Sequence, residues 1–145
     1  MNIYFDMDGT IADLYSVDNW LDDLINENVQ PYVIARPLVN LSILARLLNK
    51  LIENGNTVNI ISWTSRGGSP EYNNAVAEAK KKWLAIHLKS VSFTSINIVP
   101  YGTPKQTIGK GILFDDEKPN RDNWGEGAYS EKEIFTVLKE MVTKS

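Results

Sequence analysis

The sequence predicts an α/β fold, a three-layer α/β/α Rossmann-like arrangement around a parallel sheet. Short apolar runs typical of buried strands alternate along the chain with stretches whose apolar residues recur at helical spacing. Two of these runs, Ile3-Tyr4-Phe5 and Ile112-Leu113-Phe114, end directly in carboxylates. Alternating strands and helices form a parallel sheet covered on both faces, and strand ends of one polarity share one edge. We therefore expect the two acidic groups to meet at that edge.

The predicted helices have apolar residues three or four positions apart, and they lie around residues 17–25, 38–53, 70–87 and 130–141. Three serines are placed to cap helices: Ser16 before the first, Ser69 ahead of Pro70, and Ser130, which forms a capping box with Glu133. The predicted strands are short and apolar, and they lie at residues 3–5, 57–63, 95–100 and 111–117.

Composition narrows the class of protein. Apolar residues make up 43% of the 145 residues and charged residues 23%, as in ordinary globular proteins. No linker or repeat divides the chain, so we predict a single domain over residues 1–145. A net charge of −3 offers no basic surface for duplex nucleic acid, and the chain has no cysteine for thiol chemistry. No long apolar segment indicates a membrane span, and we expect a cytoplasmic protein.

The segment Asp6-Met7-Asp8-Gly9-Thr10 is the strongest motif in the chain. One interpretation is a local turn in which Asp8 accepts bonds from nearby amides. A calcium loop of the EF-hand type needs glycine at its sixth position and glutamate at its twelfth, but counting from Asp6 these positions hold Ile11 and Val17. The spacing excludes that loop. Paired carboxylates after a strand remain suited to a magnesium and phosphate site.

This motif resembles the first signature of the haloacid dehalogenase superfamily, whose phosphatases use an aspartate nucleophile. The resemblance implies that Asp6 attacks phosphorus and forms an aspartyl-phosphate, which water hydrolyses. It also implies that Asp8 gives a proton to the leaving oxygen and later takes one from the water, while its backbone carbonyl binds Mg²⁺. An aspartate at position 8 favours phosphate esters over halo-acids as substrates.

The resemblance extends to the second and third motifs of the superfamily. Thr64, followed by Ser65, looks like the residue that binds the phosphoryl group, and Ser62 is the alternative register. Lys105 looks like the lysine of the third motif, with a spacing to the later acids similar to that of the deoxyribonucleotidase branch; Lys110 is the alternative.

The fourth motif of the superfamily is similar to Asp115-Asp116. The resemblance implies that Mg²⁺ is held by Asp6, Asp8 and this pair, and leaves open which of Asp115 and Asp116 binds it directly. The implied function is Mg²⁺-dependent hydrolysis of a phosphate monoester. Phosphotransfer to a second substrate remains open.

Superfamily members select substrates with cap insertions. Here the chain between Thr10 and Leu38 has room for a small helical cap at most, at about residues 14–36. An open site suits a small-molecule phosphate ester, a macromolecular phosphate or a partner subunit that acts as a lid, so a homo-oligomer remains open. The first choice is a 5′(3′)-deoxyribonucleotidase-like enzyme with a nucleotide substrate.

Four aromatic residues are candidates to stack on a base, namely Tyr15, Trp20, Trp63 and Trp124. For Trp20 and Trp63, however, we favour a place in the core. Arg121 is a candidate for binding a second charge on the substrate, or for pairing with a surface carboxylate.

A signalling receiver domain is the main rival from another class, because it also combines acids, a hydroxyl residue and a lysine on a parallel sheet. Its phosphorylated aspartate follows a later strand, whereas the corresponding region here, residues 53–57, precedes a strand. A binding module without catalysis is disfavoured because every chemical position holds a competent residue. The single histidine, His87, is expected to be a packed or solvated side chain.

Overall fold

The computed structural model describes residues 1–144 and shows an α/β fold. Its strands are β1 Asn2–Phe5, β2 Ala12–Asp13, β3 Arg36–Pro37, β4 Thr57–Trp63, β5 Ser95–Val99, β6 Ile112–Phe114 and β7 Ala128–Tyr129. Its helices are α1 Trp20–Ile25, α2 Gln30–Ile34, α3 Leu41–Glu53, α4 Pro70–His87, α5 Lys118–Trp124 and α6 Ile134–Lys144. Short 3₁₀ turns occupy Leu14–Ser16, Lys105–Thr107 and Glu131–Glu133.

The main sheet has five parallel strands in the order β5-β4-β1-β6-β7. In its register Phe5 lies beside Ile60 on one side and Phe114 on the other. All five strands therefore end at the same edge of the sheet. The residues that follow β1, β4 and β6 meet there, as the alternating pattern predicts.

The two faces of this sheet are covered unequally. One face carries the largest apolar cluster, in which side chains such as Phe5 and Ile60 pack against α3, α4 and α6. The other carries a smaller cluster centred on Tyr4 and covered by Trp124 of α5. Asn59, also buried, donates to the carbonyl of Ile3. Helices thus flank both faces, which confirms the predicted fold class.

The cap segment, residues 14–36, forms a small helical insertion. It contains the first 3₁₀ turn, α1 and α2, and the antiparallel pairing of β2 with β3 joins its two ends. Its buried side chains Leu14 and Tyr32 pack against Tyr72 and Val76 of α4. The apolar face predicted for α4 is therefore shared between the sheet and this insertion.

Two of the predicted caps are confirmed and one is wrong. Ser69 accepts a hydrogen bond from the Tyr72 amide at the start of α4, and Ser130 forms the capping box with Glu133. Ser16 instead ends a 3₁₀ turn, and the helix after it starts beyond Asn19, whose backbone is left-handed with φ 61°. None of the helices within residues 1–144 combines the length and apolar character needed to cross a bilayer.

Candidate functional site

Three carboxylates lie together at the carboxyl edge of the sheet. Asp6 follows β1 and Asp115 follows the adjacent β6, so the strand register brings them side by side; the amide of Asp6 donates to the carbonyl of Phe114 at 2.9 Å. One oxygen from each of Asp6, Asp115 and Asp116 falls within 4.8 Å of the others. Such a set of hard oxygens fits a divalent cation such as Mg²⁺.

Gly9 and Thr10 hold the first acidic motif, which begins at Asp6, close to the acidic pair Asp115-Asp116. A Cβ at Gly9, where φ is 79°, would stand 2.2 Å from Oδ2 of Asp116, so a side chain is excluded there. The buried Thr10 hydroxyl donates to Oδ2 of Asp6 at 3.0 Å and accepts from the Asp116 amide at 3.1 Å. Thr10 therefore links the two acidic motifs, a role that the sequence reasoning missed.

Lys105 is buried and directed into the carboxylate cluster. Its Nζ donates to Oδ1 of Asp6 at 2.8 Å and to Oδ2 of Asp115 at 2.7 Å. Although burial alone would lower the pKa of Lys105, the charges of Asp6 and Asp115 raise it above its ordinary value. Lys105 is thus a fixed cation at the cluster, whereas the alternative, Lys110, is exposed.

The cluster holds more negative charge than Lys105 balances. Burial, followed by the charge of Asp6, raises the pKa of Asp115 to about 6 against the opposing effect of Lys105. Burial, the charge of Asp6 and a hydrogen bond with Asp6 raise the pKa of Asp116 to about 8. The folded chain therefore retains protons at these carboxyls where an exposed aspartate would release them.

Asp8 is separate from this cluster and has its own cation, Lys80. Lys80 is only 1% exposed, and its Nζ lies 2.8 Å from Oδ2 of Asp8. Burial raises the pKa of Asp8, and the charge of Lys80 opposes that shift. The sequence reasoning missed Lys80, although it stands four residues after Val76, on the apolar face of α4.

The loop after β4 supplies hydroxyl groups to the same region. Thr64 and Ser65 line the cavity above the carboxylates, and the Thr64 amide donates to the carbonyl of Val99 at 2.8 Å. Ser62 also lines the cavity, but its hydroxyl accepts from Lys80 at 2.7 Å. The side chain of Ser65 is hydrogen-bonded to Tyr32, so of these three hydroxyls only that of Thr64 makes no hydrogen bond within residues 1–144.

A cavity of about 580 Å³ opens above the site. Polar groups, including Asp6, Asp8, Lys105 and Asp116, form one part of its lining. Apolar and aromatic residues of the cap segment, of the end of β4 and of the loop after β5 form the rest, namely Leu14, Tyr15, Trp20, Leu21, Leu24, Ile25, Tyr32, Trp63 and Tyr101. One side of the cavity is therefore rich in carboxylates and suited to a divalent cation, and the other is suited to an apolar or flat group.

Trp63 does not take its predicted place in the core, because it is half-buried and lines the cavity; Trp20 packs against the buried cluster that contains Leu14 and Tyr32, and it also lines the cavity. Trp63 donates through Nε1 to the carbonyl of Thr103, which leaves one face of its ring beside Tyr101. Trp124 does not line the cavity; it packs against Tyr4 beneath the sheet.

The other singled-out residues lie outside the cavity. Arg121 forms no ion pair with a carboxylate within residues 1–144; it donates to the backbone carbonyl of Asp115 at 3.0 Å, and its role in substrate binding stays a prediction. His87 packs against the ring of Trp83 at the end of α4, as expected. Residues 53–57, where a receiver would carry its phosphorylated aspartate, lead into the amino end of β4, opposite the carboxylate edge.

Comparison with known proteins gives a match in structure. No family model and no curated protein matches the sequence. Among solved structures, the chain is similar to D,D-heptose 1,7-bisphosphate phosphatase from B. bronchiseptica, in complex with magnesium and phosphate, at a TM-score of 0.58 and 14% identity over 99% of both chains. The likeness confirms the fold that the resemblance to the haloacid dehalogenase superfamily implies, an α/β fold on a parallel sheet.

Proposed function

We propose that this protein is a Mg²⁺-dependent phosphatase that hydrolyses phosphate monoesters through an aspartyl-phosphate at Asp6. The observation that carries the proposal is the meeting of Asp6, Lys105 and the acidic pair Asp115-Asp116 at one sheet edge, beneath a cavity that Asp8 also lines. The solved phosphatase with the same fold holds magnesium and phosphate, which supports the same chemistry here.

The proposed Mg²⁺ ligands are Asp6, the backbone carbonyl of Asp8, and Asp116. The side chain of Asp115 is fully buried and accepts three hydrogen bonds, from Lys105, from Asn120 and from the amide of Glu117. Asp116 lines the cavity, whereas Asp115 does not. We therefore assign the direct contact to Asp116 and an orienting role to Asp115. When bound, Mg²⁺ would supply positive charge that offsets repulsion between anionic groups.

Each of the proposed site residues has a defined part in the reaction. Oδ of Asp6 attacks phosphorus, the bond from phosphorus to the leaving oxygen breaks, and Asp8 gives that oxygen a proton. Water then attacks phosphorus and gives a proton to Asp8, and the bond to Asp6 breaks to release phosphate. Thr64, Ser65 and Lys105 bind the other phosphoryl oxygens and stabilise their charge.

For the substrate, we propose a phosphate ester with a flat organic group, and a nucleotide in particular. The cavity volume of about 580 Å³ is within the range of ordinary small-molecule sites. Tyr15 and Trp20 stand on the cap side of the cavity and Trp63 and Tyr101 on the side of the sheet, with each pair of rings 5.0 Å apart. A base could stack on these rings, while the phosphate lies over the carboxylates.

Phosphate release from 4-nitrophenyl phosphate tests the reaction. We expect turnover with Mg²⁺ and none after chelation with EDTA, because an anionic nucleophile and an anionic substrate then repel each other. A panel of deoxynucleoside monophosphates, sugar phosphates and phosphopeptides tests the substrate class, and we expect the highest kcat/KM for a deoxynucleotide. Full activity in EDTA would contradict the metal dependence, whereas a sugar phosphate as the best substrate would contradict only the nucleotide proposal.

Binding of Mg²⁺ should also raise the melting temperature, and more so near pH 8 than near pH 5. The pKa values of Asp115, about 6, and Asp116, about 8, exceed 3.8, so without metal the folded chain holds protons that the unfolded chain has released. The free energy of unfolding therefore falls as pH rises between about 4 and about 8, and Mg²⁺ should offset that loss. Differential scanning fluorimetry measures both effects.

The matched variants for this measurement are Asp116→Asn and Asp122→Asn. Asp122 is an exposed aspartate that pairs with Lys118 on α5. We expect Asp116→Asn to lose most of the shift caused by Mg²⁺ and Asp122→Asn to keep it. A shift of equal size in both variants would contradict the proposed ligand set.

A further inference from the structure

Lys80 is a buried lysine that lies beside the proposed catalytic residues and has no role assigned above. It lies on α4, a helix that contributes none of the residues assigned a chemical role above, and it is 1% exposed. Its Nζ lies 2.8 Å from Oδ2 of Asp8, 2.7 Å from Oγ of Ser62 and 2.7 Å from the carbonyl of Trp63. An ammonium has three protons, and each of them has an acceptor.

These three acceptors belong to two different strand ends. Asp8 follows β1, whereas Ser62 and Trp63 close β4 and lead directly into Thr64. Lys80 therefore ties the loop that carries the proton-transfer residue to the loop that carries the proposed phosphate-binding hydroxyls. Helix α4 fixes the position of Lys80, because the neighbouring residues Val76 and Ala79 pack in the buried cluster beneath the cap segment.

The contact with Lys80 makes the two oxygens of Asp8 unequal. Among residues 1–144, Oδ2 accepts a bond from Lys80, and no hydrogen bond is made to Oδ1. Oδ2 of Asp8 accepts a hydrogen bond from the Lys80 ammonium, so a proton on Oδ2 that pointed toward Lys80 would meet another proton. When Asp8 is protonated, its proton therefore lies on Oδ1. The side chain of Asp8 is 18% exposed and lines the cavity, where a substrate would meet it.

We propose that Lys80 is a positioning residue that holds Oδ2 of Asp8, so that Oδ1 gives and takes the proton in the cavity. The inference rests on the proposed phosphatase function and adds a residue to it. A buried ion pair is weak support for stability, since apolar residues of similar volume often replace such a pair at no loss. Orientation of a proton-transfer group is a better account of a lysine with three fixed bonds.

Dependence on the leaving group separates this role from a structural one. The variant is Lys80→Met, which keeps most of the side chain but removes the ammonium, and the matched control is Lys82→Met, at an exposed position of the same helix. The two substrates are 4-nitrophenyl phosphate, whose leaving group departs without a proton, and a simple alkyl phosphate, whose leaving group needs one. The quantity compared is kcat/KM, which reports transfer of the phosphoryl group to Asp6.

We expect Lys80→Met to lower kcat/KM for the alkyl phosphate by about 100-fold and for 4-nitrophenyl phosphate by less than about 3-fold. Lys82→Met should match the wild type with both substrates. Asp8→Asn should show the same selective loss, and adding Lys80→Met to it should cause little further loss, because Lys80 acts through Asp8.

An equal loss with both substrates would overturn the inference, since it indicates damage to the loop at Ser62 and Trp63 and not to proton transfer. Circular dichroism establishes whether each variant is folded. Lys80→Gln, which keeps a hydrogen-bond donor at this position, is the second variant and is used if Lys80→Met does not fold. Failure of both to fold would also overturn the inference, because Lys80 would then be a requirement for folding. Inactivity of the wild type toward every phosphate ester would instead overturn the proposed function itself.

Discussion

Asp6→Asn is expected to lower phosphatase turnover by at least about 10⁴-fold while the protein stays folded. The amide has nearly the size of the carboxylate but is a far poorer nucleophile, so no aspartyl-phosphate should form. The substitution also removes one of three crowded negative charges; the amide oxygen can still accept from Lys105, and the amide nitrogen can donate to the Thr10 hydroxyl, which can itself donate to Asp116. Loss of activity should therefore come without loss of stability.

The control for Asp6→Asn is Asp13→Asn, an aspartate in the short strand β2 at the edge of the cap segment. Steady-state kinetics with 4-nitrophenyl phosphate should give near wild-type turnover for the control and background for Asp6→Asn. Melting temperatures should be similar in all three proteins. Retention of activity in a folded Asp6→Asn protein would contradict the assignment of the nucleophile.

Lys105→Met is expected to destabilise the metal-free protein by about 3–5 kcal/mol, because it leaves buried carboxylates without their cation. Both partners of Lys105 depend on it: Asp6 at 2.8 Å and Asp115, whose side chain is fully buried, at 2.7 Å. The loss should be smaller near pH 5 than near pH 8, since protonation of Asp115 and Asp116 removes the unbalanced charge. Denaturant unfolding at both pH values measures this loss of unfolding free energy.

Lys110→Met is the matched control, because Lys110 is exposed and is the other lysine considered for the same role. It should change the free energy of unfolding by less than about 0.5 kcal/mol. Saturating Mg²⁺ should recover part of the stability of Lys105→Met by supplying positive charge to the cluster. A free energy of unfolding in Lys105→Met equal to that of the control, without metal, would show that the cluster does not depend on this lysine.

The parts of the fold that depend on local signals could be predicted from the sequence. The sequence predicts strand β4 at residues 57–63 and the structure has it at Thr57–Trp63, because a continuous apolar run of this length favours a buried strand. Helix α4 begins at Pro70 with Ser69 as its cap, because both residue types mark a helix start. The meeting of Asp6, Lys105 and Asp115 followed from parallel topology, which puts strand ends at one edge.

The remaining features depend on contacts between distant residues. The short strand β7 forms through pairing with β6, and its two residues, Ala128 and Tyr129, carry little local signal. A place in the core is predicted for Trp63, but the cavity between the cap segment and the sheet edge decides its exposure. Lys80 lies in the apolar stripe of α4, and the sequence alone does not show that Asp8 is its partner.

Trapping of the covalent intermediate tests the central claim most directly. The protein is mixed with Mg²⁺ and a substrate, quenched in acid and treated with borohydride, which reduces an acyl phosphate to an alcohol. The account predicts homoserine at position 6 in the digested peptide, dependent on substrate and absent in Asp6→Asn. Turnover of the substrate without modification at position 6, or with homoserine at position 8 in its place, would contradict it.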